Sequence, residues 1–310
     1  MYDNFNGITL LFTSFSYFCA VRPKYVTETY LDRFISEAIE EDIREGDHST
    51  LSTIPAESTG KAQLLIKENG VIAGLELAEK VFHTLDSALK LDYFKSDGDQ
   101  VQTGEVALEV HGHVRAILSA ERLVLNLMQR MSGIATYTDK LCRLVQDTHA
   151  TILDTRKTTP NLRPLEKWAV LLGGGTNHRI GLYDMIMLKD NHNDYAGGIT
   201  NAVKNASNYL RENELNLKIE VETRTLEEVQ EALNTGHADI IMLDNMDTET
   251  MKKAVEIIGG KAKTEASGGI TETNILEMAQ TGVDFISIGA LTHSVKSLDI
   301  SLKAEIDTAK

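Results

Sequence analysis

A cluster of basic residues lies in the middle of a chain that is otherwise strongly acidic. The sequence carries a formal net charge of −15, yet between residues 156 and 189 the basic residues clearly outnumber the acids. These basic residues are Arg156, Lys157, Arg163, Lys167, Arg179 and Lys189, with His178 among them. A local cationic cluster in an anionic protein predicts a small, highly charged anionic ligand. It argues against a nucleic-acid partner, which would require a broad basic face.

Carboxylates follow the basic cluster in the chain. The segment IEVET places Glu220 and Glu222 on one face of a predicted strand, because successive side chains of a strand alternate. Asp244 ends the later segment IIMLD. Buried carboxylates are costly unless they are paired, so they are expected either to pair with Lys189 or to bind Mg²⁺ together with a phosphate. An internal salt-bridge network explains any one of these residues equally well.

The second half of the chain alternates short apolar runs with helical stretches. This order predicts βαβ units and a parallel sheet. Six such runs favour a (β/α) barrel over an open sheet, and no GxGxxG motif follows a strand. Polar side chains at the ends of the strands, Asp154 among them, are then expected to share one mouth. The runs cover residues 152–155, 185–190, 217–223, 240–245, 264–269 and 285–290.

Glycines end the last two predicted strands, in SGG (267–269) and IGA (288–290). Glycine lets backbone N–H groups approach an oxyanion closely, and the final strands of such barrels commonly bind phosphate. Two tight turns would explain the same residues without a ligand. Another glycine run, 173–175, precedes His178 and Arg179, and we expect it to form a mobile loop that closes over a ligand.

The first half of the chain has a different pattern. We expect a helix at residues 119–147, with Ser119 as its N-cap and Gly133 as a candidate break in it. Arg122 would then lie in the first turn, either exposed and paired with Glu121 or close to a bound anion. The predicted elements are a helix at 30–43, strands within 61–74 and 97–112, and helical sequence at 119–147.

Composition narrows the class of protein further. The chain has only two cysteines, Cys19 and Cys142, and no CxxC motif, which suits a reducing, cytoplasmic compartment. The apolar segment 8–21 is too short to span a bilayer and lacks the basic start of a signal peptide, so residues 1–24 are interpreted as an extension. Neither a membrane nor a nucleic acid is an expected partner.

Several motifs taken together resemble one family. The segments TRKTTPNLRPLEKWAV, GGGTNHRIGLYDMIMLKDNH, IEVET, IMLDN, EASGGI and ISIGALTHS are similar to those of the quinolinate phosphoribosyltransferases. The likeness runs from about Tyr25 to the C-terminus. It implies an α/β fold in which an incomplete (β/α) barrel follows an N-terminal α/β sandwich domain. The predicted divisions are an extension at 1–24, the sandwich domain at 25–133, the barrel at 134–292 and a C-terminal helical tail at 293–310.

The resemblance also implies an activity. Members of the family join quinolinate to 5-phosphoribosyl-1-pyrophosphate (PRPP) and release CO₂ and pyrophosphate, which gives nicotinate mononucleotide for NAD synthesis. Mg²⁺ is the implied cofactor. The implied assembly is a homodimer, or a higher oligomer built from it, in which each barrel mouth is closed by the partner's N-terminal domain.

Residue roles carry over by motif. Arg122 would reach quinolinate from the neighbouring subunit. Substrate-binding roles also fall on Arg156, Lys157, Thr158, His178, Arg179, Lys189, Glu222, Asp244, Ser267, Gly268, Gly269, Ile288, Gly289 and Ala290. Catalytic roles fall on Lys157, Lys189, Glu222 and Asp244, of which the two acids would also meet Mg²⁺ on PRPP. Arg163 and Lys167 are interpreted as surface or helix residues.

Three alternatives remain open from the sequence. The nearest is a related phosphoribosyltransferase with another acceptor. A Schiff-base aldolase on the same barrel would use Lys189 as its nucleophile. A phosphate-binding regulator without catalytic activity would bind ligand tightly and turn nothing over.

Overall fold

A computed structural model describes residues 22–305, so the apolar segment 8–21 and Cys19 lie outside the described residues. Within these residues, no helix is long and apolar enough to cross a membrane. The helices are α1 (Glu28–Asp42), α2 (His48–Thr53), α3 (Leu75–Leu85), α4 (Val114–Leu144), α5 (Arg163–Leu172), α6 (Asp190–Ala196), α7 (Ile199–Glu212), α8 (Leu226–Asn234), α9 (Thr248–Ile258), α10 (Ile275–Ala279) and α11 (Ala290–His293). The strands are β1 (Thr59–Ile66), β2 (Gly70–Val71), β3 (Lys90–Tyr93), β4 (Gln100–Val101), β5 (Val106–His113), β6 (Thr151–Leu153), β7 (Ile186–Leu188), β8 (Ile219–Thr223), β9 (Ile240–Asp244), β10 (Lys263–Ser267), β11 (Phe285–Ser287) and β12 (Ile300–Glu305).

An antiparallel sheet forms the N-terminal part of the molecule. Its strand order is β12-β1-β5-β3, and α3 and α4 pack beside it. Along β1, buried side chains alternate with more exposed ones, so that Leu64 and Ile66 enter the core while Gln63 and Leu65 are partly exposed. Phe82 of α3 is fully buried in the same core. This is the predicted α/β sandwich, in which one face of the sheet is covered by helices.

The C-terminal helical tail predicted at 293–310 is wrong for residues 300–305. These residues form β12, which pairs antiparallel with β1, with Leu302 opposite Leu64. The segment ISLKAE alternates apolar and polar side chains over too few residues to separate a strand from a helix by pattern alone. Pairing with β1, more than 200 residues earlier in the chain, determines that this segment forms a strand.

Helix α4 joins the two parts of the molecule. It begins at Val114 directly after β5, so Ser119 is not its N-cap and Arg122 lies in its third turn. Gly133 does not break it, and the predicted domain boundary at 133/134 falls inside a continuous helix. A Cβ at Gly133 would lie 2.3 Å from the carbonyl oxygen of Lys296, so glycine is needed here for close backbone packing.

A parallel sheet forms the second part, as the alternation of apolar and helical segments predicts. Its strand order is β6-β11-β10-β9-β8-β7, and each strand lies within two residues of a predicted apolar run. Among the described residues, β7 and β6 are the two edges of this sheet, and the backbone of Thr176 makes a parallel bridge with Leu153 of β6. The prediction of an incomplete (β/α) barrel is confirmed, and the carboxyl ends of its strands meet at one mouth.

Candidate functional site

A cavity of about 860 Å³ opens at the carboxyl ends of the parallel strands. The cavity brings together side chains that the sequence analysis selected, some of which lie more than a hundred residues apart in the chain. The predicted residues that line it are Arg156, Lys157, His178, Arg179, Lys189, Glu222, Asp244, Ser267, Gly268, Gly269, Ile288, Gly289 and Ala290. The cavity therefore places basic side chains opposite glycine turns and next to two carboxylates.

Two arginines form the basic wall of the cavity. Arg179 is partly buried, and its Nη1 donates to the carbonyl oxygen of Met185 at 3.2 Å. Burial lowers the pKa of Arg179, and the neighbouring Arg156 adds to that effect. The Nε of Arg156 is buried without a hydrogen-bond partner among the described residues. Two close guanidinium groups with unused donors are suited to bind carboxylates or phosphates.

His178 lies between this wall and the interior of the barrel. Its Nε2 is 2.9 Å from Oε2 of Glu220 and 3.4 Å from Oε2 of Glu265, and both carboxylates are fully buried. Burial disfavours the imidazolium, but the contacts with the two carboxylates outweigh it and raise the pKa of His178. Burial and the nearby charge of Glu265 raise the pKa of Glu220 to about 7. The cluster is buried at the edge of the cavity.

Lys189 and Glu222 form a looser ion pair on the other side. Lys189 Nζ lies 3.5 Å from Glu222 Oε2, and the Asp190 N–H donates to Glu222 Oε1 at 3.3 Å. Glu222 is the last residue but one of β8 and pairs in register with Met242 of β9, which ends at Asp244 two residues later. Two carboxylates therefore project from neighbouring strands into one cavity, which is the oxygen-donor arrangement that Mg²⁺ prefers.

Glycine turns form the opposite wall. Gly268 has φ +92°, and a Cβ there would lie 2.2 Å from Oδ1 of Asn245. A Cβ at Gly289 would lie 2.9 Å from His293 Nε2 and 3.0 Å from Lys157 Cδ. The positive φ and the short contact both disfavour a side chain at Gly268, whereas a side chain at Gly289 would require His293 and Lys157 to move. Without side chains, both turns let backbone N–H groups approach an oxyanion closely.

Two predicted site residues lie apart from this cavity. Arg122 is exposed on α4 and is not part of the cavity lining, and among the described residues no ion pair joins it to Glu121. Thr158 Oγ1 accepts from Nε of Arg163 at 3.0 Å, and Arg163 also donates to the carbonyl oxygen of Ile180. Arg163 therefore ties two loops of the site together instead of pointing freely into solvent.

Of the two interpretations of Lys167, as a surface or as a helix residue, the helix is confirmed and the surface is wrong. Lys167 lies on α5, and its side chain is fully buried and pairs with Asp154, which is also fully buried. Asp154 accepts as well from the His178 N–H at 2.9 Å and from Asn177 Nδ2 at 2.7 Å. The expectation that Asp154 shares the mouth is also wrong: it lies beneath the cavity and fixes the backbone that carries His178.

The glycine run 173–175 is not the mobile loop expected from the sequence. A Cβ at Gly173 would lie 2.3 Å from the carbonyl oxygen of Ala135, and one at Gly175 would lie 2.8 Å from Cγ2 of Thr138. Both residues therefore allow close contact with α4, and both are buried. The glycines fix the segment that precedes His178 instead of freeing it.

Sequence reasoning missed several residues that line the cavity. Met187 and Met242 add apolar surface, which a pyridine ring could cover. Glu265, Asn245 and His293 add polar groups. Their signals were weak: Met187 and Met242 look like ordinary core residues of apolar strands, and His293 is the last residue of a short helix that pattern alone does not reveal. Glu265 immediately precedes the ASGG turn, and its inward position was readable from strand alternation.

Comparisons with known proteins identify relatives of the chain. Residues 134–303 match the model of the quinolinate phosphoribosyl transferase C-terminal domain, and residues 47–132 match that of the N-terminal domain. The chain is 49% identical over 294 residues to a chloroplastic carboxylating nicotinate-nucleotide pyrophosphorylase of Oryza sativa subsp. japonica, covering 90% of this chain and 79% of that protein. It is 45% identical to a probable enzyme of the same name from Bacillus subtilis, covering 88% and 92%.

A solved structure gives the same result at the level of the fold. The crystal structure of NadC from Streptococcus pyogenes has a TM-score of 0.86 with this chain at 39% sequence identity, covering 91% of this chain and 99% of that one. The two matched domains together extend over almost all of the described residues, and the cavity lies in the second of them. The chain belongs to the quinolinate phosphoribosyl transferase family.

Proposed function

We propose that the protein transfers the phosphoribosyl group of PRPP to quinolinate, with decarboxylation, to give nicotinate mononucleotide, CO₂ and pyrophosphate. One observation carries the proposal: a single cavity holds two partly buried arginines, two lysines, four carboxylates (Glu222 and Asp244 among them) and two glycine turns. Quinolinate is a dianion and PRPP carries several negative charges, so both substrates need this density of cations. The family to which the chain belongs supports the same activity.

Each wall of the cavity suits one part of the substrates. Arg156 and Arg179 would hold the two carboxylates of quinolinate, with the ring against the apolar surface of Met187 and Met242. The turns at Gly268 and Gly289 would bind the 5-phosphate of PRPP through backbone N–H groups. This arrangement would bring the ring nitrogen to the anomeric carbon, and fixing that geometry supplies much of the rate enhancement.

The chain's acids and lysines would then act on the developing charges. As the bond to pyrophosphate breaks, Glu222 and Asp244 would stabilise positive charge on the ribose, and Lys157 and Lys189 would stabilise the departing anion. After transfer, the quaternised ring nitrogen accepts the electron pair of the breaking C–CO₂ bond. No lysine adduct is needed for decarboxylation.

Mg²⁺ is part of the proposal as a companion of PRPP. Glu222 and Asp244 are carboxylates from neighbouring strands that line the same cavity, so the donor set fits a hard divalent cation. When bound, the ion would neutralise charge on the pyrophosphate. Glu222 also contacts Lys189, which supports a shared role for the two residues near the leaving group.

A homodimer with shared sites is proposed from Arg122. Its side chain is exposed on α4 and does not line the cavity of its own chain. A role for Arg122 in binding quinolinate therefore requires a second copy to bring it to the mouth. Exposed apolar side chains, Leu182 and Tyr183 beside the mouth and Leu118 one turn before Arg122, offer surface that such a contact would cover.

The alternatives have less support. An aldolase would need the amine of Lys189 free to attack a carbonyl group, but its Nζ lies 3.5 Å from Oε2 of Glu222 in an ion pair. A regulator without activity would not require carboxylates beside a phosphate cradle. A related phosphoribosyltransferase with another acceptor is the nearest competitor, and the paired arginines favour an acceptor with two carboxylates.

One incubation tests the proposal. The purified protein is mixed with quinolinate, PRPP and Mg²⁺, and nicotinate mononucleotide and CO₂ are measured, with nicotinic acid in place of quinolinate as the control. We expect product with quinolinate, little with nicotinic acid, and loss of activity when EDTA is added. Absence of product, or equal product from nicotinic acid, would contradict the proposal.

We also propose a reducing compartment such as the cytoplasm. Cys142 is a free thiol, and burial raises its pKa to about 11, so it stays unreactive. The rice relative is named as chloroplastic, so cell fractionation with antibodies against this protein must separate cytoplasm from organelles. Recovery in an organelle fraction would overturn this part of the proposal.

A further inference from the structure

The buried carboxylates Glu220 and Glu265 have no role in the function proposed above. They extend from β8 and β10, strands that are separated in the sheet by β9, and both side chains are fully buried. None of their four carboxylate oxygens has a hydrogen-bond partner of good geometry among the described residues. Both carboxylates contact His178, whose Nε2 lies 2.9 Å from Oε2 of Glu220 and 3.4 Å from Oε2 of Glu265. Burying two such groups is costly, so they must serve a purpose there.

The two ring nitrogens of His178 face protein groups, although Nε2 has no hydrogen bond of good geometry among the described residues. Nε2 is buried and faces the two carboxylates, and it carries a proton in both the neutral Nε2–H tautomer and the imidazolium. Nδ1 lies 2.7 Å from the backbone nitrogen of Arg179, whose N–H points at it. A substrate carboxylate in the cavity would therefore find neither nitrogen available. The role in direct quinolinate binding that the resemblance implied for His178 does not fit this arrangement.

These contacts of His178 fix the position of Arg179. Its N–H points at the ring of His178, and the preceding N–H, that of His178, donates to Asp154 at 2.9 Å. The guanidinium of Arg179 donates to Met185 O and otherwise faces the cavity. Rotation of the imidazole would withdraw the ring nitrogen from the Arg179 N–H and free the peptide to turn. The orientation of the imidazole thus controls the position of a carboxylate-binding arginine.

We propose that Glu220 and Glu265 are positioning residues for quinolinate binding, which hold the ring of His178 so that His178 fixes Arg179. The proposal rests on the proposed function, because quinolinate is the ligand that Arg179 would bind. His178 then acts through Arg179 and does not touch the substrate. The two glutamates act one step further away, as outer groups that orient a binding residue.

A metal ion held by the same three residues is a competing explanation. An imidazole and two carboxylates whose ligand atoms all lie within 4.8 Å of one another are a familiar donor set for a divalent cation. A metal on Nε2 would require the proton to move to Nδ1, where the Arg179 N–H already points. The observed geometry therefore favours a proton on Nε2 over a metal, and the metal becomes an outcome of the test.

The test compares variants that remove or keep the side-chain oxygen that faces His178. Glu220→Ala removes it, whereas Glu220→Gln keeps an oxygen at nearly the same position. We expect Glu220→Ala to raise KM for quinolinate roughly tenfold, as the loss of one charged contact of about 1.5 kcal/mol would do, with a smaller change in kcat and in KM for PRPP. Glu220→Gln is expected to restore most of the quinolinate KM. Glu265→Ala and Glu265→Gln should behave in the same way.

A matched control separates this effect from general loss of stability. Asp284 lies just before β11 at the opposite end of the barrel, where its carboxylate accepts from the Thr264 N–H at 2.9 Å. Asp284→Asn weakens the same barrel away from the cavity, so we expect a lower Tm and an unchanged KM for quinolinate. Variants are compared only after their folding has been checked by circular dichroism, and the Gln variants remain informative where an Ala variant does not fold.

A spectroscopic measurement distinguishes positioning from contact. The ring ¹⁵N signals of His178, assigned with His178→Asn, are recorded without ligand and with quinolinate added alone. We expect a protonated Nε2 and only small changes on binding. Large shifts of these ring signals when quinolinate binds would overturn the proposal. In the kinetics, it would be overturned by a KM raised alike for both substrates, by an unchanged KM in a folded Ala variant, or by failure of the Gln variant to restore KM. Stoichiometric metal in the purified protein would overturn it as well. Failure of the wild-type protein to bind quinolinate at all would instead contradict the proposed function.

Discussion

At the scale of single residues, neighbours in the basic cluster have different tasks, which the sequence separated only in part. Arg156 and Arg179 keep unused donors at the cavity, while Lys167 forms a buried ion pair with Asp154. Arg163 joins the loop of Thr158 to that of Ile180. The excess of charge indicated the segment that lines the cavity, but the burial of Lys167 depends on helix α5 packing against the barrel. Such packing cannot be deduced from a local excess of charge.

The first prediction concerns the carboxylate contacts of Arg179. Arg179→Ala should lower kcat/KM for quinolinate by roughly 10- to 150-fold, because a hydrogen bond to a charged group contributes about 1.5–3 kcal/mol. Steady-state kinetics with varied quinolinate measure the change. Arg143→Ala is the control, since Arg143 is exposed and pairs with Asp139 on α4. Similar losses in both variants would refute the role given to Arg179.

The second prediction concerns the buried pair of Lys167 and Asp154. Burial raises the pKa of Asp154 and lowers that of Lys167, so each charge depends on the other. Lys167→Met should lower the free energy of unfolding by about 3–5 kcal/mol, because it leaves a buried carboxylate without its cation. The double variant Asp154→Asn, Lys167→Met should recover part of that loss. Urea unfolding gives the values, and equal stability of Lys167→Met and wild type would contradict the argument.

At the scale of secondary-structure elements, the strands were predicted well and the connections poorly. The parallel strands are short apolar runs bounded by polar residues, and their number and their positions along the chain follow from the sequence alone. The start of α4 was misplaced because β5 runs into it with no glycine or proline between them. The tail was misassigned because a strand of six residues at the end of a chain acquires its structure only from the strand it pairs with.

The third prediction tests the role of β12 with two adjacent residues. Leu302 is buried against the N-terminal core, whereas Lys303 is exposed on the other face of the strand. Leu302→Ala should therefore destabilise the protein by about 2–5 kcal/mol, and Lys303→Ala by less than about 0.5 kcal/mol. Thermal or urea unfolding measures both. A helical tail would not produce this alternation, so equal effects would argue against the strand.

At the scale of the whole molecule, one chain supplies most of the proposed site but not all of it. The cavity contains the arginines, lysines and carboxylates of the barrel, whereas Arg122 is exposed on the helix that joins the two parts. The sequence predicted this division only through the resemblance, because nothing in the local pattern around Arg122 indicates a second subunit. The homodimer therefore stays a prediction that assembly experiments must test.

The fourth prediction follows from that division. Arg122→Ala and Lys189→Ala are each expected to be inactive alone. When the two are mixed and allowed to exchange subunits, each heterodimer should contain one intact site, so that activity should approach about a quarter of wild type at equal amounts. Analytical ultracentrifugation establishes the oligomeric state in parallel. A mixture that remains inactive although subunits exchange would show that Arg122 does not act across the interface.

The pairing of β12 with β1 has a consequence for the way the protein is made. Strand β1 lies near the beginning of the chain, but its outer neighbour is formed by residues 300–305. During translation, the N-terminal sheet therefore lacks an edge strand until residues 300–305 have left the ribosome. Its exposed strand edge is open to wrong partners throughout that time, and contacts between such distant segments form slowly. The N-terminal domain, although first in the sequence, is expected to be the last to finish folding.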